Sequence, residues 1–420
     1  MVLRAGIESI VWFNQLVVGL RSASGNSRIQ PGSLDSGLQT QSRKQFLREK
    51  RNNKSIGNST VPRPRVPATL SDIAREAGVS KMSVSRAINN LPKISAETRA
   101  RVLKVADRLN YIPNRYARAL TTNRSYLIGI VVPDMLHSFF AEMSRGIESI
   151  TKPAGYQNLI CNTDEDPALE MSEVSALLSH TDGLIIATAL APTDTKFYTQ
   201  IVRDGAKIVL ADRYLNGVRC PVVRTDDVMA GMLGAEHLIK LGHRRIGYLC
   251  GVRTSNAADR FLGYKQALKK YKLPFDPSLV RVSGFPYEET GYEVVDYWIR
   301  EGSIPPAVLV FSDPAAIGAM RAAAEAGLRV PEDLAIVGCG KIRYGDLLRV
   351  PLTTVSWPPR GIGRAAASQL IEMINSNRSE TRRALETIFS PALVVRASCG
   401  APVGDLLTTP GSERTPKGSG

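Results

Sequence analysis

The sequence predicts an α/β protein in which a small helical unit precedes a larger body built on parallel β-sheets. Short amphipathic helical patterns fill residues 68–112, and after Ser125 short apolar runs alternate with helical stretches. Alternation of this kind is typical of parallel sheets whose two faces are covered by helices. At 420 residues the chain is long enough for two or three domains with a sizeable core.

The excess positive charge of the chain is confined to its first third. The formal net charge is +15, with 11 Lys and Arg against 3 Asp and Glu in residues 1–67, and 11 against 4 in residues 68–125. After Ser125 there are 32 of each sign. This distribution favours contact with a polyanion such as nucleic acid by the N-terminal part alone.

The start of the helical unit carries the pattern of a helix-turn-helix. Thr69 can cap a first helix, since Asp72 follows three residues on. The apolar stripe of that helix is Ile73, Ala74 and Ala77. The segment Gly78–Ser80 then turns the chain, and a second helix is predicted from about Lys81 to Asn89. Its inward positions are Val84 and Ile88. Two short helices joined by a turn with Gly are typical of this motif, whose second helix enters the major groove of DNA.

The outward face of the second helix has two interpretations. One is a solvated helical appendage with scattered Lys and Arg, and the other is a DNA-reading surface. In the second interpretation, base edges are contacted by Lys81, Met82, Ser83, Ser85 and Arg86. The apolar Met82 favours contact with a thymine methyl over a hydrogen bond.

A third helix should close the small core. Ser95 can cap it, and its apolar stripe is predicted to be Val102, Leu103, Ala106 and Leu109. Pro113 then ends that helix, and Asn114 can cap a short new one.

Three phrases closely resemble the headpiece of the lactose/galactose-repressor (LacI/GalR) family: residues 70–90, the run Ile94–Arg99, and the segment Tyr111–Leu120. In that family the last segment is a hinge helix that forms on operator DNA, pairs with its dimer mate and inserts a Leu into the minor groove. The resemblance implies a headpiece over 68–112, a hinge helix and linker over 113–125, and these DNA-binding residues: Leu70, Ser80, Lys81, Met82, Ser83, Ser85, Arg86, Asn89, Tyr111, Asn114, Arg115, Ala117, Arg118 and Leu120.

Residues 1–67 precede the usual start of the family near Ala68. Polar residues interrupt the apolar run at its beginning, which is too short to span a bilayer and does not fit a signal peptide. Residues 21–67 are rich in Ser, Asn, Gln, Gly and Arg, so we expect disorder. The extension is either a basic arm that adds nonspecific DNA affinity or the result of a misplaced start codon.

The body, residues 126–399, is predicted to contain strands alternating with helices. Strands are predicted at 127–132, 158–161, 183–187, 207–211, 246–250, 308–311 and 334–337, and helices near 139–150, 168–179, 195–204, 229–241, 258–271, 287–301, 314–326 and 362–375. About 270 residues are too many for one comfortable sheet, which favours two lobes with a cleft between them. Ligands of such sheets bind at the carboxyl ends of strands. The tail, 400–420, is expected to be disordered.

This body resembles the two-lobed, periplasmic-binding-protein-like effector domain of the same family, with the closest phrases at 126–133, 237–247, 257–264 and 351–355. The resemblance implies a small-molecule effector held by Phe139, Phe140, Asp212, Arg213, Arg260, Phe285, Ser312, Asp313 and Trp357. Ordinary core packing is the alternative for the aromatic residues. A helix cap is the alternative for Asp313, because Pro314 follows it.

The chain departs from the family after the predicted strand 334–337. Many members carry acidic residues where this chain has Gly340 and Lys341. In sugar-binding relatives the first of those acids holds ligand hydroxyls, so Lys341 suggests an anionic ligand such as a sugar acid or phosphate ester. A nucleobase, or a partner protein in place of a ligand, is the alternative.

Catalysis, cofactors and metals find little support in the sequence. It has no Gly-x-Ser-x-Gly elbow, Walker loop or full Gly-x-Gly-x-x-Gly motif. The acidic pairs around Glu165 and Asp227 lie in predicted loops, where solvated charge is the default interpretation. Five cysteines form no Cys-x-x-Cys pair and are interpreted as reduced thiols, and four histidines form no metal-binding cluster.

The sequence therefore predicts a cytoplasmic, nucleoid-associated transcription regulator, most simply a repressor. A homodimer, or a higher oligomer, would present two headpieces to a pseudo-palindromic operator in double-stranded DNA. A small polar metabolite in the interlobe cleft would control operator affinity; no cofactor, metal or membrane contact is expected. The alternative is a binding protein or enzyme whose headpiece no longer regulates.

We predict that Leu120→Ser weakens specific operator binding by roughly tenfold, about 1.4 kcal/mol. A helix from Asn114 to about Thr121 is too short to be stable alone, so it would order only when its dimer mate and DNA bury Leu120. Insertion at a pyrimidine–purine step would bury that side chain and kink the duplex. A circular-permutation gel shift at fixed salt measures both bend angle and affinity, and nonspecific binding should barely change. A variant that bends and binds DNA like the wild type would make this segment a plain linker.

Overall fold

A computed structural model describes residues 68–89, 92–111, 124–251, 253–282, 287–376 and 386–402. The predictions for residues 1–67, for residue 112 of the headpiece, for residues 113–123 of the hinge segment, for Phe285 and for the tail beyond residue 402 lie outside the described residues. The chain divides into two compact units between Asn123 and Arg124.

The N-terminal unit contains three helices: α1 (Leu70–Ala77), α2 (Lys81–Ile88) and α3 (Ala96–Arg108). At the start of α1, Thr69 Oγ1 accepts the backbone N–H of Asp72 at 3.3 Å, and the Asp72 carboxylate accepts the backbone N–H of Thr69 at 3.0 Å. This reciprocal capping box satisfies two amides that the helix itself leaves unpaired. Gly78 ends α1 with a φ of 64°, which glycine adopts without steric cost. The helix-turn-helix prediction is confirmed.

The three helices share one small apolar core. Its fully buried members are Ile73, Val84 and Val102, one from each helix. The predicted place of Leu103 in this core is wrong, because its side chain is 46% exposed and Val105 lies inward instead. The helical repeat of 3.6 residues puts positions 102, 105, 106 and 109 on one face and turns position 103 away from it.

The C-terminal unit alternates strands and helices. Its strands are β1 (Leu127–Val132), β2 (Gln157–Asn162), β3 (Gly183–Ile186), β4 (Ile208–Ala211), β5 (Val222–Thr225), β6 (Ile246–Cys250), β7 (Val280–Val282), β8 (Ala307–Val310), β9 (Ala335–Cys339), β10 (Thr353–Ser356), β11 (Glu386–Phe389) and β12 (Ala392–Val394). Its helices are α4 (Ser138–Thr151), α5 (Pro167–Leu178), α6 (Lys196–Arg203), α7 (Asp227–Lys240), α8 (Ser255–Lys270), α9 (Glu288–Arg300), α10 (Asp313–Glu325) and α11 (Pro359–Asn375).

These strands form two sheets, one in each lobe, as predicted. The strand order is β11-β5-β4-β3-β1-β2 in lobe 1 and β12-β10-β9-β8-β6-β7 in lobe 2. All neighbouring strands are parallel except β12, which runs antiparallel to β10. The chain passes between the lobes after β5, after β10 and between β11 and β12. Parallel order brings the carboxyl ends of the central strands of each sheet to one edge.

The eight predicted helices and seven predicted strands of the body are confirmed, with ends shifted by a few residues. The prediction missed β5, β7, β10, β11 and β12. Each is only three or four residues long, and β5, β10 and β11 carry polar residues within the run. Short mixed runs have too little periodicity to be recognised as strands.

Three pairs of helices cross where two glycines face each other's backbone: Gly146 with Gly363, Gly231 with Gly263, and Gly291 with Gly318. Between α7 and α8, a Cβ atom on Gly231 would lie 1.9 Å from the carbonyl oxygen of Arg260, and one on Gly263 would lie 2.0 Å from that of Val228. The two helix backbones are therefore in direct contact. This contact sets the position of Arg260 at the edge of lobe 2.

We predict that Gly231→Ala lowers the free energy of unfolding by about 1–3 kcal/mol, the usual cost of overpacking a close contact. Helix propensity alone would favour Ala by about 0.5–1 kcal/mol, so a net loss identifies crowding against the backbone of α8. Urea unfolding measures the change, with Met229→Ala on the exposed side of α7 as the control. A stability equal to or above that of the wild type would show that α7 and α8 separate easily.

Candidate DNA-binding and effector-binding sites

Helix α2 presents a polar face away from the headpiece core. Val84 and Ala87 are buried beneath it, whereas Lys81 is exposed and Met82 is 64% exposed. The other predicted reading positions, all partly exposed, are Ser83, Ser85 and Arg86. An exposed Met has no packing role of its own, and its flexible apolar side chain suits contact with a thymine methyl.

Caps at both ends hold α2 in place. Ser80 Oγ accepts the backbone N–H of Ser83 at 3.1 Å, and Asn89 Nδ2 donates to the carbonyl of Ser85 at 2.9 Å. Arg99 from α3 donates to the carbonyl of Ala87 at 3.2 Å. Capping therefore accounts structurally for two of the predicted DNA contacts, Ser80 and Asn89.

Two other predicted contacts, Leu70 and Tyr111, are partly buried and pack against the headpiece core. The remaining predicted contacts lie outside the described residues: Asn114, Arg115, Ala117, Arg118 and Leu120. Contact with DNA stays a prediction for all of the residues assigned to this surface.

A cleft lies between lobes 1 and 2, at the carboxyl ends of their strands. Seven of the predicted effector residues line it: Phe139, Phe140, Asp212, Arg213, Arg260, Ser312 and Trp357. Eight other lining residues were not among the predicted effector contacts: Asp134, His137, Glu165, Thr254, Asn256, Phe311, Cys339 and Gly340. Most of these eight follow a strand by only a few residues, and this position was the signal that could have found them.

Arg213 is held by a buried carboxylate within lobe 1. Its two terminal nitrogens lie 2.7 and 2.6 Å from the two oxygens of Glu165, a bidentate pair, and Nη1 also donates to the carbonyl of Thr188 at 2.9 Å. The expectation that Glu165 is solvated is therefore wrong. The turn between β2 and α5 brings its side chain inward, where the planar guanidinium matches it.

Arg260 is likewise held by a buried carboxylate, within lobe 2. Its Nε donates to Asp227 at 2.8 Å and its Nη1 to the carbonyl of Phe311 at 2.8 Å, while its guanidinium lies 4.5 Å from the centre of the Trp357 ring. Solvation of Asp227 was also predicted wrongly, because this residue in the first turn of α7 is 1% exposed. Burial raises the pKa of the Asp227 carboxyl, and the neighbouring Arg260 opposes that rise. Arg260 lies in the second turn of α8, not at its start.

Aromatic rings form one wall of the cleft. The ring centres of Phe139 and Phe140 are 5.1 Å apart, and that of Phe139 is 6.4 Å from Trp357. Both phenylalanines also belong to the main core, so packing and cleft lining are not exclusive here. Burial, together with the charges of Arg213 and Arg260, lowers the pKa of His137 to about 4. Its imidazole is therefore neutral at pH 7.

Asp313 does not line the cleft. Its carboxylate accepts from Thr354 Oγ1 at 2.7 Å and from the backbone N–H of Ile342 at 2.8 Å, tying the turn after β9 to β10. The cap alternative for Asp313 is also wrong, because Ser312 is the N-cap of α10. Lys341 is exposed and lies outside the cleft lining, which Gly340 reaches instead. The structure thus gives no support to an anion held by Lys341.

The five cysteines are free thiols, as predicted. Within the described ranges, no three or more His, Cys, Asp or Glu side chains are grouped so as to hold a metal ion. Over the same part of the chain, no helix has the length and apolar character needed to cross a membrane.

Known proteins match both units. The family model for bacterial regulatory proteins of the lacI family matches residues 69–114, and the model for a periplasmic-binding-protein-like domain matches residues 235–399. The chain is 34% identical over 333 residues to the HTH-type transcriptional regulator DegA of Bacillus subtilis (strain 168), covering 79% of this chain and 97% of that protein.

Solved structures give the same result. The lac repressor dimer bound to operator and the anti-inducer ONPF is similar with a TM-score of 0.71 at 27% identity, covering 79% of this chain and 99% of that one. A complex of the transcriptional regulator CelR with cellobiose is similar with a TM-score of 0.59 at 26% identity, covering 79% and 99%. Because the sequence identity extends over nearly the whole length of a transcriptional regulator, this chain belongs to the LacI family of bacterial regulatory proteins.

Proposed function

We propose that the protein is a sequence-specific transcription repressor that binds a pseudo-palindromic operator as a homodimer. The exposed face of α2 carries this proposal, since Lys81, Met82 and Arg86 offer charge, an apolar contact and a hydrogen-bonding fork on one helix surface. The similar lac repressor is a dimer bound to operator. Such a protein works at the nucleoid in the cytoplasm.

A small polar metabolite in the interlobe cleft controls operator affinity in this proposal. Buried guanidinium and carboxylate groups beside aromatic walls suit a sugar, a sugar acid or a similar molecule. The similar CelR was solved with cellobiose and the lac repressor with an anti-inducer. The buried polar groups and aromatic rings of this cleft match the polarity of such ligands.

Contacts across the cleft connect ligand binding to the arrangement of the lobes. From lobe 1, Asp212 accepts from Asn256 Nδ2 at 3.1 Å, and the backbone N–H of Tyr214 donates to Ser255 Oγ at 2.9 Å. A ligand that competes for Asp212 changes the lobe contact. Control of operator affinity then requires only that the ligand binds the two lobe arrangements with different affinity.

A gel shift with DNA flanking the gene of this protein tests the proposal. We expect saturable binding of the purified full chain to one site, with affinity that falls as salt rises. Competition by scrambled DNA as effective as by the site itself would contradict sequence-specific regulation.

We predict that Arg86→Ala reduces specific operator affinity by about 1–3 kcal/mol, the range for loss of a base contact. The helix should persist, because Arg86 contributes nothing to the buried core. Affinity for matched and scrambled sites is measured by gel shift, with Arg300→Ala on exposed α9 as the control. Equal affinity of variant and wild type for both sites would remove Arg86 from the reading surface.

We predict that loss of Arg260 leaves operator binding intact in the absence of effector but abolishes the response to effector. Arg260→Ala alone would bury an unpaired Asp227, which costs about 3–5 kcal/mol, so the double variant Arg260→Ala/Asp227→Asn is the informative one. Lys269→Ala, on the exposed side of α8, is the control. Gel shifts over an effector titration measure the response, and wild-type sensitivity of the double variant would place the effector elsewhere.

A further inference from the structure

The cleft contains more carboxylates than cations. Its two guanidiniums are already paired, Arg213 with both oxygens of Glu165 and Arg260 with Asp227. Asp212 forms a longer ion pair with the Nε of the same Arg213, at 3.6 Å, and accepts a hydrogen bond from the neutral Asn256 at 3.1 Å. With His137 neutral, Asp134 has no ion-pair partner among the described residues, and Asp212 has only a share of Arg213, which Glu165 holds more closely.

Asp134 shows the imbalance most clearly. Its side chain is 6% exposed and accepts the backbone N–H of Leu136 at 2.8 Å. The charged neighbours that act on it are Glu165 and Asp164, both acidic. Burial raises the pKa of Asp134 and also that of Asp212, where Arg213 and Arg260 oppose the rise without cancelling it. Holding both ionised is therefore unfavourable until a positive group arrives.

The aromatic wall offers a donor with no acceptor. Trp357 is 6% exposed, and its indole Nε1 is buried and has no hydrogen-bond partner in the part of the chain that the structure describes. A buried N–H of this kind is normally satisfied, so a molecule in the cleft should bring an oxygen acceptor to it. Phe139 and Phe140 add aromatic faces, which attract cations through their quadrupoles.

We propose that the effector carries a protonated amine together with hydroxyl groups, as an amino sugar does. The ammonium faces Asp134 or Asp212, and a hydroxyl oxygen accepts from Trp357 Nε1. A sugar acid would add a further negative charge to an already acidic cleft. A neutral sugar would leave Asp134 without a cation and Asp212 sharing Arg213 with Glu165. This assignment rests on the proposed function only in that the effector occupies the interlobe cleft.

Matched sets of ligands test the charge of the effector. Each set contains a hexosamine, the neutral hexose and the uronic acid with the same ring stereochemistry, in the glucose, galactose and mannose series. Calorimetric titration of the full chain at neutral pH should show a hexosamine that binds at least tenfold more tightly than its neutral parent, with the uronic acid weakest. Tighter binding by a neutral or acidic member, or no binding by any hexosamine at millimolar concentration, would overturn the proposal.

Two variants locate the ammonium. Asp134→Asn and Asp212→Asn should together account for the preference for the hexosamine over the neutral hexose. At least one of the two variants should lower the affinity for the hexosamine tenfold or more and change the affinity for the neutral hexose much less. Asn at position 134 still accepts from Leu136, so the melting temperature of the unliganded variant should not fall. Asp204→Asn is the control, since this exposed residue at the end of α6 lies at the amino end of β4, away from the cleft. An equal loss of affinity for the hexosamine and for the neutral hexose would show that both carboxylates have only a structural role, and it would overturn the assignment.

A second measurement separates this inference from the proposed function. The ligand sets are added to the gel shift with operator DNA. An amine that binds without altering DNA affinity would contradict effector control while supporting the charge assignment. A neutral hexose that binds more tightly than the hexosamine and releases DNA would support effector control and contradict the charge assignment.

Discussion

The buried pair of Arg260 and Asp227 is the interaction on which the effector cleft depends. The glycine crossing of α7 and α8 brings the two residues within 2.8 Å. The same guanidinium holds the carbonyl of Phe311 after β8 and lies over the ring of Trp357 after β10. One side chain thus aligns four elements of lobe 2. A buried ion pair contributes little net stability, but removing one partner is costly, which keeps this edge of the lobe in a single arrangement.

Lobe 1 uses a similar device. Arg213 bridges Glu165 and the carbonyl of Thr188, and the hydroxyl of Thr188 donates to the buried Glu170 at 2.6 Å. Polar groups that satisfy one another in this way keep the strand ends rigid while excluding alternative side-chain positions. Both guanidiniums are committed to the protein. The other groups that line the cleft include carboxylates and aromatic rings.

The headpiece depends less on buried polar pairs and more on helix caps and turns. Its core contains eight buried side chains, most of them small, so caps and close turns contribute much of the order of its helices. The exposed face of α2 makes few contacts with the rest of the unit. Packing therefore places little constraint on its residues, which is why an exposed Met82 is tolerated.

Periodicity and resemblance were enough to predict the helix-turn-helix, all eight helices of the body and the strands with continuous apolar runs. Of the nine effector residues that the resemblance predicted, seven line the cleft. The partners in the two buried ion pairs could not be predicted in this way. Glu165 and Arg213 are 48 residues apart and Asp227 and Arg260 are 33 apart, and their neighbours in sequence resemble ordinary solvated loops. Local sequence records the charge of a side chain, but its burial and its partner depend on which strand ends the folded chain brings together, and that is decided only by the tertiary structure.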